Sequence, residues 1–180
     1  YMPTWRKRAN GVFSFYSLPK SASETWRKML TSEHAVLLEK HHYMTYRNQP
    51  LPASAGCSLV VMPDKESEVD AQELLLIADV LISDYSGAFV DYGLLKRPAI
   101  HFAYDFEDYR STEGLVYDLH EVAIGPIVET SEALFAAVQR ALRTGACAQA
   151  KGYAEVVANE TGHACEQIVD FMKYGVGFRQ

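Results

Sequence analysis

Four residues, Asp84-Tyr85-Ser86-Gly87, stand between two short runs of β-favouring residues, Asp79–Ile82 and Pro98–Phe102, and open an apolar stretch, Ala88–Leu95. The pattern reads as strand, tight polar turn, short helix, strand. A polar turn at a helix start leaves backbone N–H groups without intrahelical partners, and the helix dipole adds partial positive charge beside them. Such a corner can seat a phosphate. Ser86 would contribute its hydroxyl, and Ser86 and Gly87 their amides, with the missing Cβ of Gly87 allowing close approach. The plain alternative for Ser86 is an ordinary helix cap. A carboxylate repels a diphosphate, so Asp84 is expected to cap or orient the loop.

Other polar residues fall where strands should end. His41 follows the strand Ala35–Leu38, and its imidazole could donate hydrogen bonds to a phosphate or, as imidazolium, neutralise its charge. A solvent-exposed loop histidine is the alternative. Arg6 follows an opening strand and offers a planar fork suited to phosphate, or a stem packed over Trp5. Asp91 lies five residues past Ser86 on the expected helix, where an acid could accept hydrogen bonds from ribose hydroxyls or simply face solvent. Tyr104, Asp105 and Tyr109 are expected to shape a loop at the rim.

The elements that must carry these residues alternate. Helices are expected at Ser23–Ser32, Asp70–Ala78, Ser131–Arg143, Gly152–Val157 and Gly162–Tyr174, with further strands at Cys57–Met62 and Pro126–Val128. Gly145 can end the third of these helices. Alternation over the whole length predicts one α/β domain, residues 1–180, built on a doubly wound parallel sheet. A formal charge of −6 excludes a general nucleic-acid binder, which needs a basic face, but permits a nucleotide in a local pocket of donors. The three cysteines are odd in number and lack metal-ligand spacing, and neither a metal site nor a cofactor is expected. No apolar run is long enough to span a bilayer. Tyr1-Met2-Pro3-Thr4-Trp5-Arg6 looks like the end of a strand, so a fragment of a longer protein is expected.

Several blocks, in order, resemble the CDP-glycerol glycerophosphotransferase family of teichoic-acid primases, polymerases and related capsule-polymer enzymes. Pro3-Thr4-Trp5-Arg6 resembles its PTWR block, and Leu38-Glu39-Lys40-His41 its strand ending in histidine. Residues 78–86, ADVLISDYS, resemble its ADxLISDYS signature. Asp91-Tyr92, Arg97-Pro98, Tyr104-Asp105 with Tyr109, Gly125–Val128 and Gly162–Cys165 continue the series. Three positions depart from it. His42 stands where proline is usual, Gly87 replaces a second serine, and Glu113-Gly114 stands where Arg-Gly is frequent.

The resemblance implies a Rossmann-like three-layer domain, the C-terminal, donor-binding half of a GT-B glycosyltransferase fold. It implies transfer of glycerol phosphate, or another polyol phosphate, from a CDP-linked donor to a lipid-linked cell-wall or capsule polymer. Arg6, His41, Ser86 and Gly87 become diphosphate contacts, Asp91 a ribose contact, and His41 the group that stabilises departing CMP. The general base would come from an N-terminal domain outside this chain. The setting would be cytoplasmic, at the inner face of the plasma membrane. Gly87 and Glu113 leave room for a GT-B enzyme using a nucleotide-sugar, and a non-catalytic nucleotide-binding module is the third possibility.

Overall fold

The computed structural model describes residues 6–7, 13–14, 20–38, 60–61 and 70–175, with side chains described for 24–38 and 70–175. Three strands form its best-defined sheet: β5 (Leu81–Ser83), β6 (Ala99–Phe102) and β7 (Ile127–Val128), all parallel in the order β5-β6-β7. Leu81 pairs with Ala99, Ile82 with Ile100 and Ser83 with His101, and on the other side His101 pairs with Ile127. Earlier in the chain β3 (Leu37–Leu38) pairs in parallel with β4 (Val60–Val61), and β1 (Arg6–Lys7) pairs antiparallel with β2 (Phe13–Ser14). The α/β class with a parallel sheet is thus the observed one.

Side chains alternate across β5 and β6, as a strand's period of two requires. Ile82, Ile100 and Phe102 face one core with Trp26 and Leu30 of α1 (Lys20–Ser32) and with Leu134 and Val138 of a later helix. Leu81, Ala99 and Ala103 face a second core with Phe89, Tyr92 and Tyr153. Both faces are covered, which is why these strands read as unbroken apolar runs. Full burial of a side chain such as Ile100 or Phe102 contributes roughly 1.5–3 kcal/mol.

The helices mostly follow the sequence reading. They are α2 (Ala71–Ile77), α3 (Ala88–Gly93), α6 (Ser131–Thr144), α7 (Lys151–Val156) and α8 (Ala164–Tyr174). Thr130 caps α6 by accepting from the Ala133 amide at 3.2 Å, and Gly145 ends it in the left-handed region at φ 61°. Two helices were not expected: α4 (Phe106–Thr112), inside the supposed acidic-aromatic loop, and α5 (Leu119–Val122). In α4 the acids Glu107 and Asp108 fill the first turn and Arg110 the last, the charge order that favours a helix over a loop. In α5 the Asp118 carboxylate accepts from the His120 amide.

The connection into β7 runs hard against β6. A Cβ on Gly125 would lie 1.8 Å from the Ala99 carbonyl oxygen, so only glycine fits. Gly125→Ala should therefore destabilise the chain by about 2–3 kcal/mol, as backbone overpacking does, with urea unfolding as the measurement.

Candidate phosphate-binding corner at the carboxyl end of the sheet

The corner follows directly from the end of β5. Ser83 and Asp84 are each 1% exposed, Tyr85 and Ser86 are half-buried, and Gly87 is exposed. Exposure therefore rises over four residues from core to surface. Asp84 turns its carboxylate back along the chain, and its Oδ1 accepts from the Ser86 amide at 3.2 Å. Ser86 Oγ in turn accepts from the Ala88 amide at 3.4 Å, at the start of α3. Of the two amides expected to meet a phosphate, that of Ser86 is held by Asp84, while Gly87 has open space where a side chain would stand. The backbone of Gly87 is right-handed helical (φ −56°, ψ −13°), a conformation open to any residue.

The rim is aromatic. Tyr85 stacks on Tyr109 of α4 with centroids 4.2 Å apart, and its hydroxyl donates to Asp105 Oδ1 at 3.1 Å. Phe106 lies 6.2 Å from Tyr85 and carries the Arg110 guanidinium over its face at 5.9 Å. The sequence placed Tyr104, Asp105 and Tyr109 at this rim; Asp105 and Tyr109 lie there, at a helix it missed, whereas Tyr104 packs against the first core with its ring 5.4 Å from Phe102. Asp91 is exposed on α3, and its Oδ2 accepts from Gln72 Nε2 at 3.0 Å. It is thus on the same short helix as the corner but already tied to α2. Arg6 begins β1, and both its side chain and His41 lie outside the described residues.

Sequence reasoning overlooked His101. The imidazole is 1% exposed, and its Nδ1 lies 3.2 Å from the Asp84 carbonyl oxygen. Its Nε2 accepts from the Ile124 amide at 3.2 Å. Phe89 of α3 meets the ring edge-on at 5.1 Å. Burial holds the imidazole below its ordinary pKa, against weaker opposing pulls from the Asp84 carbonyl and carboxylate. A histidine inside an apolar strand gives no periodic signal, because it occupies a position that a large hydrophobe could also fill.

Among the described residues, no group of three or more His, Cys, Asp or Glu side chains is arranged to hold a metal ion. None of the described helices is long and apolar enough to cross a membrane.

With that geometry in view, comparison with known proteins is direct. Residues 1–173 match the family described as CDP-Glycerol:Poly(glycerophosphate) glycerophosphotransferase. The chain belongs to this family. It is 33% identical over 144 residues to a teichoic acid poly(glycerol phosphate) polymerase of Bacillus spizizenii, covering 78% of this chain and 35% of that protein. It is 32% identical over 142 residues to a teichoic acid glycerol-phosphate transferase of Staphylococcus aureus, again 78% of this chain and 35% of the relative. The solved wall teichoic acid polymerase TagF superposes with a TM-score of 0.65 at 25% identity, over 97% of this chain and 43% of that one. A variant of that polymerase soaked with CDPG gives 0.64 at 26% identity, covering 97% and 42%. The chain therefore spans about a third of the length of these two curated relatives.

The buried carboxylate organises the corner, which gives a stability test. Asp84→Ala should strand the Ser86 amide and cost about 1–3 kcal/mol in urea unfolding at neutral pH, whereas Asp84→Asn, which keeps an acceptor oxygen, should cost less.

Proposed function

We propose that this chain is the donor-binding part of a transferase that moves glycerol phosphate, or another polyol phosphate, from a CDP-linked donor to a lipid-linked cell-wall or capsule polymer. The observation that carries this reading is the open Ser86–Gly87 corner at the carboxyl end of parallel strands, in a chain of this family. Ligands of open α/β sheets bind in the crevice outside the strands' carboxyl ends. The curated relatives named above are a teichoic acid poly(glycerol phosphate) polymerase and a teichoic acid glycerol-phosphate transferase, which favours the same chemistry here.

The Gly87 amide and the Ser86 hydroxyl are the donors offered to the diphosphate, and Asp84 keeps them in place from beneath. Arg6 and His41 are the further diphosphate contacts, with His41 stabilising the departing CMP. Asp91 serves the ribose by exchanging its bond to Gln72 for a ribose hydroxyl. In the reaction an acceptor hydroxyl attacks the β-phosphorus in line. Its oxygen–phosphorus bond forms as the bond to the bridging oxygen breaks, CMP leaves, and the hydroxyl proton passes to a general base. That base belongs to an N-terminal domain of the longer protein, so this chain alone binds the donor and turns nothing over. The acceptor's lipid anchor places the longer protein at the inner face of the plasma membrane.

Isothermal titration of the chain with CDP-glycerol and with glycerol phosphate tests the assignment: CDP-glycerol should bind more tightly, and equal binding would remove it. Ser86→Ala should weaken CDP-glycerol by about tenfold, the scale of a lost hydrogen bond to a charged group. Gly87→Ser restores the second serine usual in the family and meets no steric or conformational obstacle. It should tighten binding by about threefold or more, consistent with one added hydrogen bond.

A further inference from the structure

His101 ties three points of the chain together, one through its backbone and two through its ring. Its own backbone amide donates to the Pro126 carbonyl at 2.9 Å, locking β6 to the entry of β7. Its Nε2 accepts from the Ile124 amide two residues earlier, and its Nδ1 reaches the Asp84 carbonyl at the end of β5. Asp84 is the residue whose carboxylate holds the Ser86 amide. A continuous chain of hydrogen bonds therefore runs from Ile124 through the ring to the Asp84 peptide and on to Ser86.

The protonation state follows from donor and acceptor logic. A peptide N–H can only donate, so Nε2 must present its lone pair to Ile124. The neutral ring then carries its single proton on Nδ1, directed at the Asp84 carbonyl. A second proton would go on Nε2 and set two donors face to face, 3.2 Å apart in a buried site. We infer that His101 is a positioning residue for the Asp84–Gly87 loop, holding it through a neutral, Nδ1-protonated ring braced on the Ile124 amide; a second proton, on Nε2, releases that brace so that the ring and the loop it carries shift. The effect of that release on donor binding rests on the function proposed above; the effect on the loop does not.

Among the described residues, the charged group that faces the ring is Asp84, from the end of β5. Helix α3 presents the Phe89 ring, and the segment before β7 presents a peptide N–H. Burial outweighs the pull of Asp84, so the folded state resists protonation. For a group whose folded pKa is depressed, the unfolded chain binds the extra proton first. The stabilisation is therefore fully present above the ordinary value of about 6.5 and is lost as pH falls through the folded value.

The decisive experiment is a titration of the 180-residue chain from pH 8 to pH 5 followed by nitrogen-15 NMR. His101 signals are assigned from His101→Phe and His101→Gln variants. The expected result is an Nδ1–H ring that persists below pH 6.5 and then protonates. In that same step the amides of Ile124, Ser86 and Gly87 should shift together. His101→Phe should displace the Ser86 and Gly87 amides at every pH and abolish the step. His101→Gln, with one donor and one acceptor, should restore part of the original pattern. CDP-glycerol is the binding probe, since its diphosphate diester keeps its charge over this range. Its affinity should fall in the same step as the ring protonates, by less than about tenfold between pH 7.5 and 5.5 because a pKa below the ordinary value of about 6.5 leaves part of the rings neutral, and should stay low and flat in His101→Phe. An Nε2–H ring, titration at the ordinary value, or Ser86 and Gly87 amides that ignore the step would overturn the inference. Were the Phe variant not to fold, the titration of the unsubstituted chain still decides. A failure of CDP-glycerol to bind at all would count against the donor reading, with the amide shifts still deciding the role of His101.

Discussion

The parallel pairing of β5 with β6 is the constraint on which the candidate site depends. Because Ser83 lies opposite His101, the chain leaves the sheet at Asp84 beside a buried ring and a buried strand end. A shift of β6 by one residue would send Ile100 and Phe102 to the face of Phe89 and Tyr92, away from the core they share with Ile82. It would also carry the imidazole to the opposite face and strand the Ile124 amide. The apolar alternation that builds the core is therefore the same feature that aims the polar corner, and neither can be altered alone.

A carboxylate beneath the proposed phosphate seat needs a physical account, since like charges repel. Asp84 is buried and turned toward the Ser86 amide, so its charge is spent on a backbone donor rather than presented to the cleft. The loop thereby acquires a fixed shape without a large side chain at its exposed apex, where Gly87 leaves space. The net charge of −6 is no obstacle to an anionic ligand under these conditions. What matters for binding is the local field, which falls away over roughly a Debye length of 8–10 Å at moderate salt.

Much of this was legible in the residues because strand runs, polar turns and helix stops are local signals. Ile82, Ile100 and Phe102 declare a buried sheet, Gly145 declares a helix end, and the Asp84–Gly87 turn declares a helix start. Helix α4 was missed because Tyr104, Asp105 and Tyr109 carry turn-like and rim-like chemistry. The acid-first, base-last order of Glu107, Asp108 and Arg110 is the local signal that marks the helix. Helix α8 was expected from its apolar period, yet none of its residues is buried, since period records an apolar face and not what covers it. His101 was illegible for a deeper reason. Its role depends on Asp84 and Ile124, residues 17 and 23 positions away, and only the fold brings their backbone groups to the ring.

Two neutral donors, the Gly87 amide and the Ser86 hydroxyl, are a modest seat for a group bearing about two negative charges. A neutral hydrogen bond nets about 1 kcal/mol, and one to a charged group about 1.5–3 kcal/mol. Stripping water from a diphosphate costs several times that. In the proposed reading the shortfall must be met by cations, and Arg6 and His41 are the ones the sequence offers. Amides set the geometry of such a site, because the backbone fixes them in place. Long or titratable side chains then supply charge without needing fine placement. In that reading the corner stays rigid and weakly polar while the cations supply the charge, and the buried imidazole of His101 acts on the loop through shape.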